Sequence, residues 1–275
     1  MLQHVIHPAT VILTTLSRRT PYKTLVIHVT SIYTNFMSVK HDILSVMSQW
    51  APEDTAEAWD NVGLQLDTQK PIERLAIMLE FNLDTWAVFN EYDYDFVICH
   101  HPLIFKPIQR LGHDEWPDQV LRNLIKKDIG LYVSHTNLDR ALDGVTDMLM
   151  RQYAFDIQRE EDLSNGYGKC IELSEPAELH LLLDKVPAVA QIIPNELEIK
   201  TIALCGGSGK SFVQDVIKSG VDLFITGELG YHDIQTLRQA KVGILLLGHY
   251  QSEAFICEGI KQRLEHLEIE IDIIK

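Results

Sequence analysis

The first 36 residues contain no Asp or Glu, which sets them apart from the rest of an otherwise acidic chain. They carry Arg18, Arg19 and Lys23 among Ser and Thr, the pattern of an organelle transit segment. The blander reading is a start codon assigned too early, because Met37 opens a well-patterned sequence. Other shortages exclude whole classes. No stretch approaches the roughly 18 continuous apolar residues of a membrane-spanning helix. Basic residues are outnumbered, 24 Lys and Arg against 39 Asp and Glu, so the net charge of −15 weighs against direct contact with nucleic acid. Cysteine is scarce: Cys99, Cys170, Cys205 and Cys257 form no C-x-x-C pair, which excludes a disulfide framework and fits a reduced, cytoplasmic chain. Cys99 and Cys205 lie in apolar runs and read as small core residues. A Walker A loop is also missing. Gly206-Gly207-Ser208-Gly209-Lys210-Ser211 would need a glycine at position 204, which is Leu. What remains is a glycine-rich strand-to-helix turn, read either as tight packing or as backbone N–H groups offered to an anion.

What the chain does have is a duplication. Residues 74–105 align without gaps onto 201–232. Leu75-Ala76-Ile77 matches Ile202-Ala203-Leu204, Asp95-Phe96-Val97-Ile98 matches Asp222-Leu223-Phe224-Ile225, and His101 falls on Glu228. Farther on, His135 and Asp139 match His249 and Glu253. Short apolar runs of strand type alternate with helical periodicity from Ser38 onward, so an α/β fold is expected, with two similar intertwined lobes, about 37–155 and 156–275, each a mixed sheet flanked by helices. The 154–200 stretch is more polar, with a turn at Asn165-Gly166-Tyr167-Gly168 and a further strand candidate at Leu179–Leu183.

Function then belongs at the carboxyl ends of the strands. Three strand ends carry imidazole or carboxylate: His100-His101 after Phe96–Cys99, His135 and Asp139 after Leu131–Val133, and His249 and Glu253 after Ile244–Leu247. One such His is usually structural; the repetition in both halves points instead to a metal site. His and carboxylate ligands suit Zn, Fe, Mn, Ni or Co, and no cysteine is near enough for a structural zinc. Adjacent side chains of a regular strand face opposite ways, so His100 and His101 would serve two neighbouring ions rather than one. Glu228 and His232 could ligate, orient a ligand or move protons, the last two being preferred, and surface placement is the plainer alternative for His232. Asp60 is a candidate for the rim, with turn capping as its plainer role.

Five segments carry a family resemblance. Ala58-Trp59-Asp60-Asn61-Val62-Gly63-Leu64-Gln65, His100-His101-Pro102-Leu103-Ile104-Phe105, Ser134-His135-Thr136-Asn137-Leu138-Asp139, Thr226-Gly227-Glu228 and Gly248-His249-Tyr250-Gln251-Ser252-Glu253 together resemble the Ngg-interacting-factor-three-like family, whose members are labelled dinuclear metal centre proteins or GTP cyclohydrolase type 2 homologues. The resemblance spans about Met37 to the C-terminus, and residues 1–36 form an extension outside it. It implies the compact form without an inserted domain, assembled as a toroidal homohexamer with two divalent ions per subunit. One ion would be held by His101, Asp139 and Glu253, the other by His100, His249 and Glu253, with Glu253 bridging. It also implies a metal-dependent hydrolase acting on a nucleotide or other phosphate compound, with His135 or Glu228 carrying protons. The competing expectation is a metal-handling or regulatory protein without turnover. No membrane association is expected, and localisation is cytoplasmic unless residues 1–36 direct the chain to mitochondria.

Overall fold

In the computed structural model, residues 39–112, 116–183, 191–194 and 198–275 are described in full. Backbone alone is described for 12–13, 25–26 and 30–38. The extension 1–36 therefore lies mostly outside the described residues, apart from a two-stranded ladder, β1 (Ile12–Leu13) with β2 (Leu25–Val26), and the start of the helix α1 (Thr30–Trp50).

Two larger sheets organise the described residues. The first has the order β13 (Glu270–Ile274), β4 (Arg74–Met78), β5 (Phe96–Cys99), β6 (Gly130–Val133) and β3 (Gly63–Leu66). All neighbours are parallel except β3, which closes the edge antiparallel to β6. The second runs β7 (Ile157–Leu163), β8 (Gly168–Glu178), β10 (Glu198–Leu204), β11 (Leu223–Thr226), β12 (Gly243–Leu246) and β9 (Gln191–Ile193), with the parallel trio β10–β11–β12 at its centre. The architecture is α/β, two mixed sheets flanked by helices.

The duplication survives at the level of single hydrogen bonds. Leu75 pairs with Phe96 and Ile202 with Leu223, the same register at an offset of 127 residues. Asp95 Oδ2 accepts the N–H groups of Glu73 and Arg74, and Asp222 Oδ2 accepts those of Lys200 and Thr201. A carboxylate that ties the start of one strand to its neighbour is thus used twice, which holds each trio in register.

The central strands are buried on both faces, as parallel strands covered by helices must be. Leu75, Ile77, Phe96 and Ile98 face one apolar cluster, while Ala76, Met78 and Val97 face another. In the second sheet Ile202 and Leu204 separate from Ala203 in the same alternation. The lobes exchange their ends. Helix α10 (Phe255–Leu264) packs Ile256, Ile260 and Leu264 with Ile43 and Met47 of α1, and β13 completes the first sheet beside β4. A cut at residue 155 therefore separates the sequence into halves but not the cores.

Leu179–Leu183 is a helix, α6, and not a strand. Leu179 and Leu182 are buried three residues apart while Leu181 is half exposed, which is helical spacing. The polar 154–200 stretch instead contains the antiparallel pair β7–β8, whose outer strand exposes Gln158 to Asp162 and so carries no apolar alternation to read.

Candidate metal centre

Each functional side chain hangs from a strand end. After β5 the backbone still pairs with β4, through His100 N–H to Met78 O and His101 N–H to Leu79 O, and it bends at His100 and His101. The two imidazoles end with ring centroids 5.0 Å apart rather than on opposite faces, because strand parity no longer applies where the chain bends. After β6, His135 opens the short helix α4 (Thr136–Asp139), and the bond from Asp139 N–H to His135 O places Asp139 one turn on. After β12, α9 (His249–Glu253) presents His249 and Glu253 on one face, four residues apart.

The arrangement of protons is informative. His100 is fully buried, and its Nδ1 lies 2.8 Å from the Ser134 carbonyl, which can only accept. Nδ1 therefore carries the hydrogen, and in the neutral ring Nε2 holds a bare lone pair. That Nε2 faces Asp139 Oδ1 at 3.4 Å, and both atoms are buried without a hydrogen-bond partner. Two electron-pair donors aimed at each other in the interior are costly unless a cation lies between them. The other imidazoles follow the same plan. His101 Nδ1 is 3.0 Å from Glu80 Oε2 while its Nε2 is 3.0 Å from Glu253 Oε2. His249 Nδ1 is 3.3 Å from Glu228 Oε1 and its Nε2 3.2 Å from Glu253 Oε2. His135 Nδ1 is 3.0 Å from both oxygens of Asp60. An outer acceptor fixing Nδ1–H so that Nε2 points inward is the support that metal-ligating histidines use.

Electrostatics agree. Burial opposes the charged form of His101, yet Glu253 and Glu80 on its two nitrogens push its pKa up to about 10. A proton there does the work of a cation between two carboxylates. Burial would likewise raise the Glu253 carboxyl, but hydrogen bonds from His101 and His249 hold it well below the usual carboxylate range. Asp60 is opposed by burial in the same way and is also held low, by His135 and Thr136, whose N–H and hydroxyl it accepts at 3.0 and 2.6 Å.

Three overlapping groups could hold a metal ion: His100, Asp139 and Glu253; His101, His249 and Glu253; and His100, His101 and His135. All five expected ligands come together with His135. In these groups His100 lies with Asp139 and His101 with His249, whereas the resemblance implies His101 with Asp139 and His100 with His249. Glu228 is largely exposed, and among the described residues its carboxylate reaches the cluster through His249. His232 is at the surface, its ring edge against Tyr231. Glu80 escaped the sequence reading; its place just past β4, at the same end of the sheet as the histidines, was the available signal. Asp60 proves to be a partner of His135 rather than a simple turn cap.

Glycines make room for Glu253. A Cβ on Gly207, whose φ is +58°, would lie 2.1 Å from Glu253 Oε1. Two cavities reach the cluster. One, of about 450 Å³, is lined by Trp59, His135, Asp139, Lys210, His249 and Glu253 among others. The other, of about 490 Å³, is lined by Glu80, His101, Pro102, Phe105 and Tyr250 among others.

Comparison with known proteins bears on this cluster directly. The family model for Duf34/NIF3 (NGG1p interacting factor 3) matches residues 37–275. The chain belongs to the NIF3 family. A relative from Clostridium perfringens named "GTP cyclohydrolase 1 type 2 homolog" is 29% identical, covering 82% of this chain and 92% of the relative. "NIF3-like protein 1" of Drosophila melanogaster is 30% identical over 77% and 76% of the two chains. Among solved structures, "Reduced HcgD from Methanocaldococcus jannaschii" superposes with a TM-score of 0.76 at 25% identity, covering 86% of this chain and 97% of that one. The NIF3 match begins at Met37, where the motif pattern begins. Among the described residues, no helix of this NIF3-family chain is long and apolar enough to cross a membrane.

Proposed function

We propose that the cluster is a dinuclear centre, with Glu253 shared between one ion held by His100 and Asp139 and another held by His101 and His249, and that the chain is a metal-dependent hydrolase of a nucleotide or other phosphate compound. The observation that carries the reading is the buried pair His100 Nε2 and Asp139 Oδ1, two partnerless donors 3.4 Å apart. The shared membership of Glu253 in two donor groups supports two ions rather than one. The names of relatives, GTP cyclohydrolase 1 type 2 homologues, supply the substrate class. The resemblance adds a toroidal homohexamer, to be checked by sedimentation.

Divalent ions at such a site supply Lewis acidity, polarising a phosphoryl or carbonyl oxygen and making water more acidic. The chain's own residues do the rest. Asp60 holds His135 through Nδ1, and the ring stands edge-to-face with His100 and His101 at 5.3 and 5.6 Å, which leaves Nε2 for the role of proton acceptor. Glu228 fixes the orientation of His249 from outside. Trp59, more than half exposed at the cavity rim, offers an aromatic face to a base.

The test is metal content by elemental mass spectrometry, run beside turnover of GTP, other nucleotides and simple phosphoesters. Glu253→Ala is expected to lose both ions and all metal-dependent turnover while keeping its circular dichroism spectrum. Two ions retained by that variant would defeat the bridging role. Two tightly held ions in the parent chain with no turnover on any substrate would favour metal handling or regulation instead.

A further inference from the structure

The turn after β10 fails as a backbone cradle for phosphate. Gly206 N–H donates to Thr146 Oγ1 at 3.2 Å, Gly207 N–H to Ser252 Oγ at 2.9 Å, and Gly209 N–H to the Glu228 carbonyl at 3.2 Å. Three of the amides that a glycine-rich turn would offer are already engaged. What the turn brings to the 450 Å³ cavity is three exposed polar residues, Ser208, Lys210 and Ser211.

Lys210 stands out in a chain of net charge −15. Other lysines of the second sheet are tied to acids, Lys169 to Asp147, Glu160 and Asp162, and Lys200 to Glu172. Among the described residues no carboxylate lies within ion-pair distance of Lys210, and it is the one lysine or arginine lining the cavity. Of the three carboxylates that share that lining, Asp139 and Glu253 belong to the metal donors, and Glu57 accepts the Tyr167 hydroxyl at 2.8 Å. The wall behind is aromatic, with the Phe212 and Tyr167 rings stacked at a centroid distance of 5.8 Å. The cavity thus has a donor cluster in one part of its lining and an unpaired cation with two hydroxyls in another. Its volume is within the range of small-molecule sites.

We infer that Ser208, Lys210 and Ser211 bind the phosphate end of the substrate through their side chains, and that this trio selects anionic over neutral substrates. The inference deepens the hydrolase reading and depends on it only for what happens at the metal donors.

Calorimetric titration of the full chain with GTP, tripolyphosphate and guanosine tests it, with metal content measured in parallel. The titrations are repeated on metal-stripped protein, so that chelation by phosphate is not counted as binding. Lys210→Ala is expected to weaken GTP and tripolyphosphate by roughly ten-fold or more, the usual scale for one charge-assisted contact. Guanosine binding and metal content should stay unchanged, Lys210→Arg should restore much of the loss, and Ser208→Ala with Ser211→Ala should weaken the same two ligands less. Unchanged GTP and tripolyphosphate affinity in Lys210→Ala, or no binding of either by the parent chain, overturns the inference. Lys210-dependent binding without turnover would support it while sinking the hydrolase reading. GTP turnover indifferent to Lys210→Ala would do the opposite.

Discussion

The two halves of the molecule share a frame and differ in what stands on it. Residues 100 and 101 are two histidines; their counterparts 127 positions later are Gly227 and Glu228. Gly227 is needed there, because a Cβ would come within 2.4 Å of the Gly207 carbonyl oxygen. That close packing brings α9 against the glycine turn and sets Glu253 between His101 and His249. In the first half the bulk is retained as imidazole, and Asp139, more accessible than Glu253, takes the outer position beside His100. Duplication built two equivalent strand ends, and divergence made one of them histidine-rich and the other a tight seat for a single carboxylate. The donor set is therefore asymmetric although the frame is not.

The largest effect that would sharpen this comparison is on stoichiometry. If His100 pairs with Asp139 and His101 with His249, then His100→Asn and Asp139→Asn should each lose one ion of two and keep the other. His101→Asn and His249→Asn should each lose the opposite one. Loading single variants with distinguishable metals, and reading each by its spectrum, separates the positions. His100→Asn behaving like His249→Asn would restore the partition implied by the family resemblance.

A smaller effect probes the seat itself. Gly207→Ala forces a Cβ against Glu253 Oε1 and adds a side chain at φ +58°, so a destabilisation of about 1–3 kcal/mol is expected together with weaker metal retention. Gly220→Ala, also at positive φ (+67°) but with nothing within 4 Å, should cost only the backbone part, about 1 kcal/mol, and leave the metals in place. Equal metal loss in both variants, followed by thermal melting, would show that strain rather than the approach to Glu253 is responsible.

How much of this was legible beforehand follows from the same asymmetry. The parallel trios were readable because their strands are buried on both faces and form continuous apolar runs, and because Asp95 and Asp222 recur with their registers. The strand β13 was not, since pairing with β4 is a contact across nearly 200 residues that no local pattern announces. Spacing alone brought out His100, His101, His135, Asp139, His249 and Glu253 at strand ends; the choice of five of them as ligands came from the family resemblance. Their grouping could not, because it depends on the bend at His100, where alternation of side chains stops. Glu80 was invisible for a related reason: its counterpart 127 positions later is Gly207, so the duplication does not mark it, and only the folded sheet brings it to His101.

The smallest expected effect concerns that contact. His101 lies between Glu80 and Glu253, whereas its counterpart Glu228 is exposed at the surface. In the metal-free chain the folded-state pKa of His101 is raised from 6.5 to about 10. A raised pKa means that the folded state holds the proton more tightly than the unfolded chain, so its stabilisation is fully present below about pH 6.5 and is lost as pH rises toward 10. Thermal melting of the metal-free chain should therefore fall by a few degrees between pH 6.5 and 9, relative to a His101→Gln variant measured alongside. With metal bound, His101 holds no such proton, and the same interval should leave the melting temperature nearly unchanged. A fall of equal size in His101→Gln would assign the effect to other groups, and the two carboxylates would then be held together by something other than the imidazolium.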